Sequence, residues 1–134
     1  IPPDAKLLQG EEAFIFTAHS DNPEKVAILN ELGAQVFVLP DAQGNVDLQK
    51  MIHKLADFEM NEVLVEAGSG LSGALINAGL IDEVILYLAP HLLGNVAQGM
   101  VKLPVLMDLS QKVSLELQDV RMVGQDIRVN ARVL

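Results

Sequence analysis

The chain has 134 residues, of which half are hydrophobic and 20% are charged. This length suits one domain, and the composition supports a buried core and argues against disorder. The formal net charge is −9, and the nine Lys and Arg residues form no run, so the basic stripe needed for nucleic-acid binding is missing. Without cysteine, disulfides and Cys-type zinc sites are excluded. No apolar stretch is long enough to span a bilayer, and we expect a cytoplasmic protein with neither nucleic acid nor membrane as partner.

The first half of the chain alternates between predicted strands and helices. Residues 13–17 and 35–39 are short apolar runs typical of buried strands. Between them, Asp21-Asn22-Pro23-Glu24 combines a capping side chain, a proline and an acid, which predicts a helix start. Turn residues follow at 40–45. Five apolar residues then recur on one helical face, the clearest periodic signal in the chain: Leu48, Met51, Ile52, Leu55 and Phe58.

The alternation continues beyond this helix. Residues 63–65 predict a third strand, and residues 71–78 predict a short helix that ends at Gly79. Residues 84–89 form an apolar run without alternation, which favours a strand covered on both faces. Alternating strands and helices predict a largely parallel sheet with helices on both sides.

The end of the chain has a different pattern. Residues 91–109 predict a long loop, and long loops in compact domains often line a site. Residues 113–123 and 127–133 contain strand-like runs separated by Gly124-Gln125-Asp126, which predicts an antiparallel hairpin. We treat residues 1–134 as a single domain.

A glycine-rich turn joins the predicted third strand to the following helix. Gly68-Ser69-Gly70-Leu71-Ser72-Gly73 matches the G-x-G-x-x-G pattern. Glycines let the backbone approach a ligand, and the free amides of a first helical turn attract phosphate. Equally, the glycines could serve only a tight turn. A true Rossmann unit is disfavoured because the helix is short and the next strand ends at Ala89-Pro90 instead of an acid.

Glu66 is the charged residue that we select as a candidate for substrate binding. It follows three apolar residues and precedes the turn, at the carboxyl end of the predicted strand. Ligands bind outside that end in open α/β sheets, and a carboxylate there can accept hydrogen bonds from NH or OH groups. The alternative is an exposed carboxylate that caps the turn.

The histidines point to no particular chemistry. His53 is expected on the polar face of its helix, His19 in a turn, and His91 at a strand end where it could border the site. Their spacing suggests no metal pair, and we assign no metal site and no catalytic residue.

Several stretches appear in an order typical of one family: Val65-Glu66-Ala67-Gly68-Ser69-Gly70-Leu71 with Ala74-Leu75, Ala78-Gly79-Leu80-Ile81-Asp82-Glu83, Ala89-Pro90-His91-Leu92-Leu93-Gly94, and Val123-Gly124-Gln125-Asp126-Ile127. On the basis of these stretches and their order, the whole chain resembles the C-terminal reductase domain of the bifunctional riboflavin-biosynthesis deaminase-reductases (RibD type). That resemblance implies a dihydrofolate-reductase-like α/β fold, with a mostly parallel mixed sheet, flanking helices and an antiparallel C-terminal hairpin.

The resemblance also implies an activity, which is NADPH-dependent reduction of 5-amino-6-(5-phosphoribosylamino)uracil to its ribitylamino product. Glu66 would contact this pyrimidine substrate. NADPH would be bound by the turn made of Gly68, Ser69, Gly70, Leu71, Ser72, Gly73 and Ala74. Many relatives have Gly at the position of Ala67, a mild departure. A basic side chain usually binds the 2′-phosphate, and nothing singles out Lys25, Lys50 or Lys54.

Relatives carry further parts that this chain lacks. A strand with a Lys and a Ser-Leu-Asp-Gly stretch lies near the start of their reductase domain, and a zinc deaminase domain precedes it. We therefore expect an N-terminally incomplete domain, inactive alone and homodimeric when intact. Two alternatives stay open: a related oxidoreductase that acts on another pterin or pyrimidine, and a non-catalytic dimerisation domain.

Overall fold

The structure is a computed structural model that describes residues 1–10 and 12–134. Two units are found, Ile1–Val63 and Leu64–Leu134, and the prediction of one domain stays a prediction. The helices and strands are β1 (Ala13–Thr17), α1 (Pro23–Glu31), β2 (Ala34–Val38), α2 (Leu48–Asp57), α3 (Ser69–Asn77), β3 (Glu83–Leu88), β4 (Leu115–Val123) and β5 (Asp126–Val133), with short 3-10 helices at Lys6–Gln9 and Leu109–Gln111.

The first unit is built on a parallel pair of strands. β1 and β2 pair from Ala13 with Ala34 to Thr17 with Val38, and α1 connects them and packs against β2. The predicted helix start is confirmed, because the side chain of Asn22 accepts a hydrogen bond from the amide of Lys25 at 2.9 Å. One face of the sheet forms a small core with α1 and the first 3-10 helix, consisting of Leu8, Ala13, Leu29 and Ala34.

The other face of this parallel pair carries aromatic side chains. Phe14 and Phe37 lie with their rings 4.5 and 5.8 Å from the ring of Phe58, which directly follows α2. The Nζ of Lys54 on α2 lies 5.4 Å from the ring centre of Phe37 and 5.2 Å from that of Phe58. The predicted apolar face of α2 is therefore confirmed at Phe58, which joins the aromatic cluster.

Residues 63–65 form no strand, so that prediction is wrong. The whole segment 60–68 is irregular, and Leu64 is 76% exposed. A strand is held by backbone hydrogen bonds to a neighbour, and no strand within the described residues pairs with this segment. Local apolar character is not sufficient without such a partner.

The second unit contains a three-stranded antiparallel sheet in the order β3-β5-β4. Aligned partners share a face, so the register sorts the side chains into an apolar and a polar face. The apolar face consists of Val84, Leu86 and Leu88 on β3, Leu115, Leu117, Val120 and Met122 on β4, and Ile127, Val129, Ala131 and Val133 on β5. On the opposite face, the carboxylate of Asp119 lies 3.3 Å from Arg121 and 3.2 Å from Arg128.

The predicted hairpin is confirmed, with an irregularity in its first strand. β4 ends at Val123 and β5 begins at Asp126, and Gly124 in the turn has a φ of +63°, which glycine adopts at little cost. In β4, Leu117 and Asp119 pair with the consecutive residues Ala131 and Asn130. Gln118 is therefore the extra residue of a β-bulge.

β3 differs from the prediction in its exposure. Val84 and Leu86 are half-buried, whereas Ile85, Tyr87 and Leu88 are exposed, so the prediction of a strand covered on both faces is wrong. Its apolar residues Val84, Leu86 and Leu88 lie on the apolar face, whereas Ile85 and Tyr87 lie on the polar face of the sheet. The strand itself is confirmed, and its antiparallel pairing with β5 makes the fold a mixed α/β arrangement.

Candidate functional site

The start of α3 presents unpaired backbone donors. Gly68 caps the helix with φ −72° and ψ 167°, and its residue type offers no side-chain cap. The amides of Ser69, Gly70 and Leu71 donate to no acceptor within the described residues, as expected for a first helical turn. Three amides and the positive end of the helix dipole therefore face outward at one place, which is the geometry that favours an anion.

The next three residues of the predicted turn contribute differently. The amide of Ser72 donates to the carbonyl of Gly68 at 3.1 Å, and the amides of Gly73 and Ala74 lie inside α3, where helix geometry directs them to Ser69 and Gly70. Of the seven predicted cofactor-binding residues, Ser69, Gly70 and Leu71 are thus the ones in the first turn of α3 with a free amide, and the amide of Gly68, which precedes the helix, also donates to no acceptor within the described residues.

The three glycines of the motif differ in their surroundings. A Cβ built on Gly68 or Gly70 would meet no atom within 4 Å, whereas on Gly73 it would meet the backbone of Lys102. Neither Gly68 nor Gly70 has a positive φ. Among the three glycines of the motif, contacts and backbone angles therefore require glycine only at Gly73, and open space remains beside Gly68 and Gly70 for a ligand.

Residues 98–102, which we call the strap, lie against the first turns of α3. The amide of Lys102 donates to the carbonyl of Ser69 at 2.9 Å. The side-chain amide of Gln98 donates to the Oγ of Ser69 at 3.0 Å. The predicted long loop is confirmed here and contacts the motif. Gln98 was missed from the sequence, because no local pattern indicates a hydrogen bond between residues 29 positions apart.

Glu66 is exposed and lies in the irregular segment, three positions before the start of α3. The prediction placed it at a strand tip, and that local context is wrong because the strand is missing. Its role in substrate binding stays a prediction. Its exposure leaves the carboxylate accessible to a ligand.

The other candidate side chains lie on surfaces or in turns. His53 is exposed on α2, as predicted, and the exposed His91 donates its amide to the carbonyl of Ala89 at 2.8 Å. Within the described residues, no group of three or more His, Asp or Glu side chains is placed to hold a metal ion. Lys50 and Lys54 lie 3.0 Å from Asp47 and 3.5 Å from Asp57 respectively.

No helix in residues 1–10 and 12–134 combines the length and apolar character needed to cross a membrane.

Comparison with known proteins gives a consistent set of relatives. Residues 1–129 match the family described as RibD C-terminal domain. The chain is 39% identical over 93 residues to the riboflavin biosynthesis protein RibD of Escherichia coli (strain K12), covering 69% of this chain and 25% of that protein. It is 34% identical over 89 residues to the 5-amino-6-(5-phosphoribosylamino)uracil reductase of Buchnera aphidicola subsp. Acyrthosiphon pisum (strain APS), covering 66% of this chain and 43% of that protein.

A solved structure agrees with these relatives. RibD of Acinetobacter baumannii is similar with a TM-score of 0.79 at 29% identity, covering 100% of this chain and 35% of that chain. The chain thus spans between 25% and 43% of the length of these three proteins. The similarity confirms the dihydrofolate-reductase-like α/β fold class. With a match over residues 1–129, the chain belongs to the RibD C-terminal domain family.

Proposed function

We propose that the chain provides the reductase activity of riboflavin biosynthesis, the NADPH-dependent reduction of 5-amino-6-(5-phosphoribosylamino)uracil to the ribitylamino product. The observation that carries this proposal is the family match over residues 1–129. The Buchnera relative bears the name of this reductase. In this reaction NADPH supplies the hydride, and the task of the protein is to bind and orient the two molecules.

The start of α3 suits a cofactor phosphate. The free amides of Ser69, Gly70 and Leu71 are donors, and the hydroxyl of Ser69 adds a further one. The space beside Gly68 and Gly70 lets a phosphate approach the backbone. We assign Ser72, Gly73 and Ala74 to the same cofactor-binding segment, in which they extend the helix that supports the three amides.

Glu66 is our candidate for binding the pyrimidine substrate. Its carboxylate is exposed, and only Ala67 and Gly68 separate it from the first residue of α3. An ionised carboxylate accepts hydrogen bonds from ring NH or sugar OH groups, and it has no hydrogen to donate to a phosphate. Glu66 would thereby orient the substrate near the cofactor-binding segment without itself bonding to the cofactor phosphate.

The complete gene product offers the direct test. NADPH binding is measured by fluorescence titration, with NADH as the control, and NADPH oxidation is then followed after addition of the deaminated phosphoribosylamino-pyrimidine. We expect binding and substrate-dependent oxidation. Binding without turnover would replace the proposed substrate with another pterin or pyrimidine. Failure to bind NADPH would leave the dihydrofolate-reductase-like fold in a non-catalytic role.

We also propose that the protein acts as a cytoplasmic homodimer. Several large apolar side chains in the long loop are almost fully exposed, among them Leu92 at 103% and Val96 at 100%. Such apolar surface favours association with another protein surface. Light scattering on the complete gene product would test this, with twice the monomer mass as the expected result.

A further inference from the structure

Ser69 is bound by the strap at two of its atoms. Its carbonyl accepts from the amide of Lys102 at 2.9 Å, and its Oγ accepts from the side chain of Gln98 at 3.0 Å. Ser69 is also the first residue of α3, and its own amide is one of the three unpaired donors. The strap therefore holds the first helical residue of the proposed cofactor-binding segment.

The bond from Gln98 constrains what the Ser69 hydroxyl can do. A serine hydroxyl has one donor hydrogen and two acceptor lone pairs. Because the Gln98 amide donates, it occupies one lone pair and leaves the hydroxyl hydrogen to donate elsewhere. No acceptor for that hydrogen is found in the described part of the chain. An anion held by the amides of Ser69 and Gly70 would supply one.

We propose that Gln98 is a positioning residue for the cofactor phosphate, one that fixes the Ser69 hydroxyl as a donor to it. This inference rests on the proposed function, since it assumes that α3 binds NADPH through a phosphate. Gln98 does not itself touch the cofactor. It acts through Ser69, so its contribution to NADPH affinity exists only while the Ser69 hydroxyl is present.

A double-mutant cycle in the complete gene product tests this dependence. NADPH dissociation constants are measured by fluorescence titration for wild type, Ser69→Ala, Gln98→Ala and the double variant. Loss of a hydrogen bond to a charged group corresponds to a change in affinity of about tenfold or more, so we expect binding weaker by about tenfold or more for Ser69→Ala and a smaller loss for Gln98→Ala. In the Ser69→Ala background, Gln98→Ala should cause no further loss.

Two further measurements separate positioning from simple structural support. Gln111→Ala is a matched control, because the side chain of Gln111 also takes part in a 3.0 Å hydrogen bond, which it accepts from the amide of Met107, away from Ser69. It should leave NADPH affinity unchanged. Reduced nicotinamide riboside, which carries no phosphate, should bind wild type and Gln98→Ala equally.

Three results would overturn the inference while leaving the proposed function intact. The first is unchanged NADPH affinity in Gln98→Ala. The second is an equal loss of NADPH affinity on removing Gln98 from the wild type and from Ser69→Ala. The third is a loss of riboside affinity in Gln98→Ala that matches its loss of NADPH affinity. Absence of NADPH binding by the wild type would instead overturn the proposed function and the inference together.

Discussion

Gly73 on α3 lies directly against the backbone of Lys102. An ideal Cβ on Gly73 would be 2.7 Å from the carbonyl carbon and 2.9 Å from the amide nitrogen of Lys102, and closer still to the carbonyl oxygen. Atoms of a real side chain do not approach backbone so closely. The strap therefore reaches Ser69 only because residue 73 has no side chain.

This contact predicts that Gly73→Ala destabilises the protein. The methyl group must displace the strap or α3, and overpacking of this kind costs about 1–3 kcal/mol. Gly70→Ala is the control, since its methyl group meets no atom within 4 Å and alanine favours a helix by up to about 1 kcal/mol over glycine. Denaturant unfolding of both variants measures the difference. Equal midpoints would contradict the observed packing.

A larger side chain at Gly70 should impair cofactor binding first. In Gly70→Val, the branched side chain enters the open space before the free amides, where we place a cofactor phosphate. We expect NADPH affinity to fall by about tenfold or more, as for loss of a charged hydrogen bond. Asn77→Val, at the far end of the same helix, controls for the helix propensity of valine. Wild-type affinity in Gly70→Val would count against the phosphate assignment.

Glu66→Gln should weaken turnover while leaving NADPH binding nearly unchanged. The amide keeps the shape of the side chain but loses the charge and one acceptor oxygen. The expected fall in kcat/KM corresponds to a loss of about 1.5–3 kcal/mol of transition-state stabilisation, the range for hydrogen bonds to charged groups. Glu62→Gln is the control, because Glu62 is another exposed acid of the irregular segment. Equal loss of turnover and NADPH binding would show that Glu66 supports the turn instead.

The stability of the protein should depend on the charge of Asp47 at acid pH. Hydrogen bonds from the backbone amide and then the side chain of Lys50 hold the pKa of Asp47 below its ordinary value. Because the folded-state pKa is the lower one, the stabilisation is complete above the unfolded-state pKa. It is lost as the pH falls through the folded-state pKa.

Asp47→Asn should flatten this acid dependence, since asparagine also caps a helix but does not titrate in this range. Free energies of unfolding measured from neutral pH to below pH 3 would show the wild-type and variant curves converging on acidification. Some dependence should remain, because hydrogen bonds from Ser110 also lower the pKa of Asp108. Parallel curves would mean that the bonds at Asp47 do not stabilise the fold.

Features encoded by neighbouring residues could be predicted from the sequence. The helix start at Asn22 and the turn at Gly124 depend on a capping side chain and on a positive φ, both of which are local properties. Residues 63–65 show the opposite case. Their apolar run suits a strand, but strand formation depends on a distant partner that local composition does not reveal.

The candidate site divides in the same way. The free amides of α3 follow from a glycine-rich turn that precedes a helix, a pattern visible in the sequence. The different roles of Gly70 and Gly73 do not follow from it, because both are simply glycines in the motif. Only the position of Lys102, about thirty residues further along the chain, shows that one glycine is open and the other packed.

The β-bulge at Gln118 determines how β4 tolerates changes in length. With this extra residue, Leu117 and Val120 lie on the same apolar face although three positions separate them. Deleting Gln118 would restore strict alternation and leave every pairing of β4 with β5 unchanged, whereas deleting a residue from the regular ladder of β5, such as Val129, would turn one half of that strand over and move its apolar side chains to the face that carries the arginines. A one-residue deletion in the exposed loop near Val96 would change no such pairing. Among homologues, gain or loss of single residues should therefore be common in that loop and at the bulge position of Gln118, and rare within β5.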